Sequence, residues 1–523
     1  MNLKLRLGDH ELSKQLKDAE LIIGLVGRMG VDTKEVVNFT TECLNSLNYK
    51  VIHIKITDFL KEPQFNFDLR ESPIEERYDD YIKACNKIRE VSANDSIFAA
   101  YAISRIMDER ALLTGNHSEP AQRQAYIIDQ LKRKEEAEEL LAVYGQQFIL
   151  ISCHMPSDKR IALLSRKIAD GHAEKPKQSS WQNAAQMLAE RDDDELNVKH
   201  GQRVSKVFPL ADVIIDPSQI KAAKETLQRF FFALFGNFKI SPTRDEFFQN
   251  IAYQTSLASI DTARQVGASI AVNGTLVVTG YNEAPKAFGG TYWPEDGFDA
   301  RDVALGKDIN TVRKRQMVLE LVSMLKPYMS DEFKNDPALD AKLLDDKDAP
   351  LKNSQIMDSL EFGRAVHAEM SAITTAARTG MSIQDGDLYC TTFPCHNCSK
   401  HIVAAGIKTV SYLEPYAKSF TSDLYPDSIE VDMAEPPINK VLFKQFLGIT
   451  PLRFSRLFSK SRMKDDRGNI LLWKAREASP NFGKVDQDHP DRESIFSRLV
   501  FDGLSPDAKQ FFGIEPAEGD GSK

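Results

Sequence analysis

Apolar residues recur along the chain in two rhythms. Short continuous runs at 21–26 (LIIGLV), 51–56 (VIHIKI), 148–152 (FILIS) and 213–216 (VIID) have the length of buried strands. Between them the apolar positions fall three and four apart, which predicts helices. The first of these begins near Asp32, after a turn containing Gly27 and Gly30. Strand alternating with helix predicts a mostly parallel sheet with helices on its faces. The pattern closes at 226–239 with an aromatic cluster expected to be core, and Ser241-Pro242 reads as a junction. Within this region, 132–141 (KRKEEAEELL) carries opposite charges at helical spacing and is expected to be a solvated helix face. The acidic run 191–195 (RDDDE) is expected to be a surface turn.

A different arrangement follows. Residues 245–263 carry Phe248, Ile251, Leu257 and Ile260 at helical spacing. Then ASIAV and TLVVTG flank Asn273-Gly274, a two-residue turn that accepts positive φ cheaply and so predicts a hairpin. A polar, acidic stretch at about 288–362, with a helical piece at 312–325, reads as an insertion. Beyond it come a helix after Val366 stopped by Gly380, a strand at 388–392, a helix at 395–405 closed by Gly406, and a strand at 408–414. The expected division is 1–240, 241–435 and a C-terminal appendage at 436–523 whose tail is partly disordered.

Composition narrows the class. The 523 residues exceed what one core organises, and 42% hydrophobic with 27% charged residues is ordinary for a globular chain. The N-terminal stretch lacks a signal-like apolar run and no segment reaches membrane-span length, so a cytoplasmic protein without membrane association is expected. Six cysteines in such a chain suggest thiols and metal ligands rather than a disulfide framework. A net charge of −9 without a basic block disfavours a polynucleotide grip and favours small substrates.

The chemistry concentrates in His367-Ala368-Glu369 and, 25 residues on, Pro394-Cys395-His396-Asn397-Cys398. Zinc takes imidazole nitrogen and thiolate sulfur in a tetrahedron, and three protein ligands leave the fourth place to water. His367, Cys395 and Cys398 supply that set. A carboxylate that is not a ligand must then carry protons, and Glu369 stands two residues from the histidine. Both helices would present their N-termini to one metal, which favours thiolates. The competing reading is a closed structural site with Cys390 or His396 as fourth ligand. Cys43, Cys85 and Cys153 read as small buried residues.

H-x-E followed by P-C-x-x-C is the signature of zinc deaminases. With RQVGA at 264–268, TGYNEAP at 279–285 and TTFPCHNC around the cysteines, the C-terminal half resembles the deoxycytidylate deaminases of the cytidine deaminase superfamily. The resemblance implies an α/β/α deaminase fold, Zn2+ as cofactor, and Asn282 on the nucleotide sugar, against the alternative of a turn-capping asparagine. Arg264 and Arg364 are candidates for the phosphates because guanidinium forks suit them, with plain salt bridges as the alternative. Over the whole chain, YIIDQLKRKEE, YGQQFILI and FPLADVIID make it similar to the long bacterial deaminases of anti-phage defence, which join a P-loop-kinase-like N-terminal domain to the deaminase. That similarity implies hydrolytic deamination of dCTP or dCMP, draining dCTP from a replicating phage. It also implies a homo-oligomer, often a hexamer, and for some members an inhibitory small RNA as partner.

The N-terminal unit departs from that pattern. A functional phosphate loop reads G-x-x-x-x-G-K-[ST]. Counting from Gly27, Asp32 stands where the last glycine belongs and Thr33 where the lysine belongs, so kinase activity is not expected. Gly27 and Gly30 remain candidates for nucleotide contact, beside the alternative of a structural relic. Two rival functions stay in view, a tRNA or single-stranded DNA deaminase, which should add basic and aromatic surface, and a nucleotide sensor in which Glu369 is dispensable.

Overall fold

The computed structural model describes residues 18–172, 181–193, 195, 198–346, 349–352, 354–416, 419–433, 438–460, 463–482 and 488–514. The N-terminal segment, parts of RDDDE and of the 345–350 loop, the start of the expected appendage and the extreme tail lie outside them. The chain forms two compact units, one of Met1–Glu246 with Phe446–Lys523 and one of Phe247–Gln445.

In the first unit the four apolar runs form strands β1 (Leu21–Gly27), β2 (Lys50–Lys55), β4 (Phe148–Cys153) and β5 (Val213–Ile215), and a fifth strand that the pattern did not mark is β3 (Gln124–Asp129). They lie parallel in the order β5-β4-β1-β3-β2. Every residue of β1, β3, β4 and β5 is buried, which is why β1, β4 and β5 read as apolar runs, whereas β3 buries Gln124 and Asp129 at its ends. The helices up to Leu234 are α1 (Thr33–Ser46), α2 (Ile74–Ser92), α3 (Ile97–Thr114), α4 (Lys134–Tyr144), α5 (Ser157–Asp170), α6 (Gln182–Asp193) and α7 (Ile220–Leu234). Phe230, Phe231 and Phe235 are core, as the aromatic cluster predicts.

Three expectations for this unit are corrected. KRKEEAEELL is more than a solvated face. Arg133 and Glu136 are almost fully buried, and Glu136 receives the Arg89 guanidinium at 2.8 Å and the N–H groups of Lys132 and Arg133. Residues 191–193 of the acidic run are the end of α6 rather than a surface turn, with Asp192 fully buried. From Phe446 onward the chain is no appendage. Gly448–Ile449 adds an antiparallel strand to β5, and the helix His489–Asp502 brings Glu493 and His489 onto Arg110 and Glu20, all four buried. Burial of such charges requires mutual pairing, so this segment is bound in by electrostatics as well as apolar contact.

The second unit begins with the larger part of α8 (Arg244–Ser256). Its sheet contains β6 (Gly267–Val272), β7 (Thr275–Tyr281), β8 (Asp387–Thr392), β9 (Thr409–Glu414), β10 (Ile429–Val431) and β11 (Val441–Gln445), in the order β10-β11-β9-β8-β6-β7. The β6–β7 hairpin turns on Asn273 and Gly274, both at positive φ as the sequence predicts. The further helices used below are α9 (Ile309–Leu325), α10 (Ala368–Thr379) and α11 (His396–Ala404). No helix among the described residues is long and apolar enough to cross a membrane.

Two glycines set the layer spacing. A Cβ on Gly267 would meet the Ala252 carbonyl of α8 at 2.0 Å, and one on Gly280 would meet the Ala368 oxygen and Ala372 nitrogen of α10 at 2.4 Å. Gly280 pairs with Ala268, the neighbour of Gly267, so α8 and α10 cover opposite faces of the sheet. Gly280 therefore lets α10, and the His367 that precedes it, seat directly on β7. Gly280→Val is expected to lower unfolding stability by about 1–3 kcal/mol or more and to lower zinc retention with it. A denaturant melt read beside metal content checks both, and an unchanged melt removes the assigned role.

α8 ends at Ser256, short of the expected 263. Glu283 accepts the Ile260 N–H at 3.1 Å, and the Ser259 and Asp261 side chains accept the N–H groups two residues ahead of each. These local bonds substitute for helical ones and turn residues 259–264 toward the cavity described next.

Candidate metal and substrate site

His367 is the N-cap of α10 and Cys395 the N-cap of α11, both in extended backbone just outside the first turn. Cys398 follows within that first turn. The sheet brings the two N-termini together so that His367 Nδ1 lies 3.3 Å from Cys395 Sγ and 3.4 Å from Cys398 Sγ. One donor atom from each of the three residues falls within 4.8 Å of the others, the only such His/Cys/Asp/Glu group among the described residues. Cys390 is fully buried on β8 and outside this donor set, and His396 instead sets its ring beside Phe420. A three-donor site with one imidazole and two thiols fits Zn2+.

The charges already favour a cation. A hydrogen bond from Cys398 and the adjoining His367 hold the Cys395 thiol well below its ordinary range, while sharing that proton raises Cys398. The bond to Cys395 lifts the His367 imidazole to about 9. A divalent ion would replace these shared protons.

Glu369 lies in the first turn of α10, only 4% exposed, with Oε2 3.5 Å from Cys398 Sγ. Burial raises its carboxyl above the ordinary value, and the negative Cys395 sulfur adds to this. A carboxyl so placed exchanges protons nearer neutrality than a solvated one.

These groups open into a cavity of about 530 Å³ whose wall also includes Asn282, Arg264, Arg364, Thr392, Phe393 and Tyr416. Asn282 is buried and its amide is in use: Oδ1 accepts the Val266 N–H at 2.7 Å and Nδ2 donates to the Arg264 carbonyl at 2.9 Å. It therefore fixes the segment carrying Arg264. Arg264 itself stands 3.6 Å from Glu414 and over the Tyr416 ring. Arg364 donates to Asp302 at 2.7 Å and to the Ala300 carbonyl at 2.8 Å. Both arginines reach the cavity while holding ordinary partners.

The insertion contributes more than the sequence suggests. Val318, Val322, Leu339 and Leu344 give it a small core, and Asp308, Asn310, Thr311 and Lys314 from the start of α9 line the cavity. Lys314 donates to the Met357 carbonyl at 2.7 Å and forms no ion pair among the described residues. No motif marks it, since it comes to the site only through the fold of the insertion. Gly27, the last residue of β1, and Gly30, in the turn that follows, belong to the other unit.

The profile of the cytidine and deoxycytidylate deaminase zinc-binding region matches residues 242–414. The deoxycytidylate deaminase of Enterobacteria phage T4 is 29% identical over 169 residues, covering 32% of this chain and 77% of the phage protein. That of Enterobacteria phage T2 is 31% identical over 173 residues, 32% of this chain and 79% of its own. The deoxycytidylate deaminase of Mus musculus is 34% identical over 94 residues, 18% of this chain and 44% of its own.

Proposed function

Because the chain belongs to the deoxycytidylate deaminase family, we propose that it hydrolytically deaminates dCTP and dCMP at the His367–Cys395–Cys398 centre. The observation that carries this reading is Glu369, a buried carboxyl beside three metal donors and facing the cavity. A purely structural zinc site has no use for it.

In the reaction a water oxygen bonds to C4 of the cytosine ring, the C4–N bond breaks and ammonia leaves. Both protons must come off the water oxygen, one ending on ring N3 of the uracil product and one on the departing amine. His367, Cys395 and Cys398 would hold zinc, which would supply the Lewis acidity that makes water reactive near neutrality. Glu369 takes protons from the water and passes them to the ring and to the amine, an exchange that its raised pKa suits. Phe393 and Thr392 close the wall around the base, and Asn282 holds the 264–266 segment in place. Arg264, Arg364 and Lys314 are assigned to the phosphates.

In this reading the deaminase depletes dCTP as an anti-phage defence, acts in the cytoplasm as a homo-oligomer, and uses its N-terminal unit for regulation, with an inhibitory small RNA as a partner. The test is chromatographic: dCTP, dCMP, CTP, cytidine and adenosine-containing tRNA are each incubated with zinc-loaded protein. Conversion of dCTP or dCMP to the uracil product is expected. A zinc-loaded protein that leaves both unchanged refutes the assignment, and activity on tRNA alone transfers it to a polynucleotide. Lys314→Gln is expected to raise KM for the nucleotide several-fold with kcat nearly unchanged, the mark of lost uniform binding.

A further inference from the structure

In the first unit, β1 lies at the centre of the sheet with β3 on one side and β4 on the other, so the turn leaving it opens into the crevice beyond the strand ends. That turn, residues 27–32, leads into α1. Around it stand three cations from separate elements: Arg28 of the turn itself, Lys132 after β3, and Arg160 on α5. Arg160 is packed against the turn, its Cγ 3.1 Å from where a Cβ on Gly30 would sit.

What these groups hold is the end of α6. Asp192, fully buried, accepts the Met29 N–H at 2.5 Å and the Lys132 ammonium at 2.8 and 3.1 Å. Lys132 also donates to the Gly27 carbonyl at 2.8 Å. Asp193 lies 3.1 Å from Arg28 and 3.1 Å from Arg160. A backbone N–H from a glycine-bearing turn, an ammonium and two guanidinium groups are the donor set that binds a phosphate. Here two carboxylates stand in its place. The match is incomplete on the donor side. Arg160 is 4% exposed, and its Nε and Nη1 are buried with no hydrogen-bond partner among the described residues. Among the described residues three positive groups face two negative ones, which leaves one positive charge and two guanidinium nitrogens of Arg160 without a partner.

We infer that the turn after β1 is an anion site for phosphate-bearing ligands, filled in this state by the chain's own Asp192 and Asp193. An external polyphosphate enters only by displacing the end of α6. The internal carboxylates act as a tethered competitor, so the apparent affinity for an external anion falls by the fraction of chains in which α6 has let go. The inference is independent of the deaminase assignment.

The test uses the full chain and inorganic tripolyphosphate, titrated calorimetrically at constant ionic strength. Wild type is expected to bind weakly, Asp192→Asn at least about tenfold more tightly because the competing charge is gone, and Arg160→Ala combined with Asp192→Asn to lose that gain. Equal affinity in wild type and Asp192→Asn overturns the inference, as does absence of binding in both, or binding that ignores Arg160. Circular dichroism establishes that the variants fold. If Asp192→Asn does not, hydrogen exchange on wild type decides: tripolyphosphate should accelerate exchange in α6 where sodium sulfate of equal ionic strength does not. Identical exchange under the two salts overturns the proposal.

Discussion

Glu369→Gln is expected to leave the protein folded and zinc-loaded while lowering kcat for deoxycytidine nucleotides by about 10²- to 10⁴-fold, the usual contribution of a positioned acid–base group. Glutamine matches the glutamate in volume, so the buried position at the start of α10 stays filled. Its amide neither accepts the water proton nor gives one to the amine. Because the loss falls on chemistry rather than binding, KM should change little and kcat/KM should fall in step with kcat. Steady-state rates, metal content and a thermal melt on the same sample check the three parts. A kcat within threefold of wild type removes Glu369 from proton transfer and favours the sensor reading.

Cys398→Ser should act differently, through loss of the metal. Cys398 is 1% exposed and shares the donor cluster with His367 and Cys395. A hydroxyl in its place is a poor zinc ligand, so metal content should fall from about one per chain to under about a tenth, with activity lost in parallel. An ion that binds only the folded form stabilises it by mass action, so the melting temperature should fall too. A chelator applied to wild type should reproduce the loss, and added zinc should rescue wild type but not the variant. Cys390→Ala is the control: it lies outside the donor set and should retain zinc. Zinc lost equally from both variants points to general core damage rather than ligation.

What could be read in the sequence was what depends on near neighbours. The metal donors lie in two short motifs because each helix start must supply its ligands within one turn, and the hairpin turn needs two residues that tolerate positive φ. Strands β1 and β4 of the first sheet stand out because both their faces are covered, while β3, equally buried, was hidden by Gln124 and Asp129 at its ends. What was not legible depends on pairing across distance. Glu136 looks solvated until α4 is set against Arg89, 47 residues earlier. Asp192 looks like surface until α6 meets Met29, 163 residues earlier. Lys314 has no motif at all, and the charges on Glu493 gave no sign that Arg110, 383 residues away, would enclose them. A local pattern reports whether a residue is charged, and only the tertiary structure decides whether that charge finds a partner out of water.

The chain leaves the first unit at Glu246, builds the second, and returns at Phe446. This threading imposes an order on synthesis. When a ribosome has made the first 246 residues, β5 still lacks its antiparallel neighbour Gly448–Ile449, and the buried pair of Glu20 and Arg110 lacks Glu493 and His489. The second unit, contiguous in sequence, can finish while the first waits with an open strand edge, a state that invites pairing with other chains. A nascent chain stopped near residue 445 would thus carry a complete deaminase core and an unfinished first unit, so premature termination damages the earlier-made half more than the later-made one.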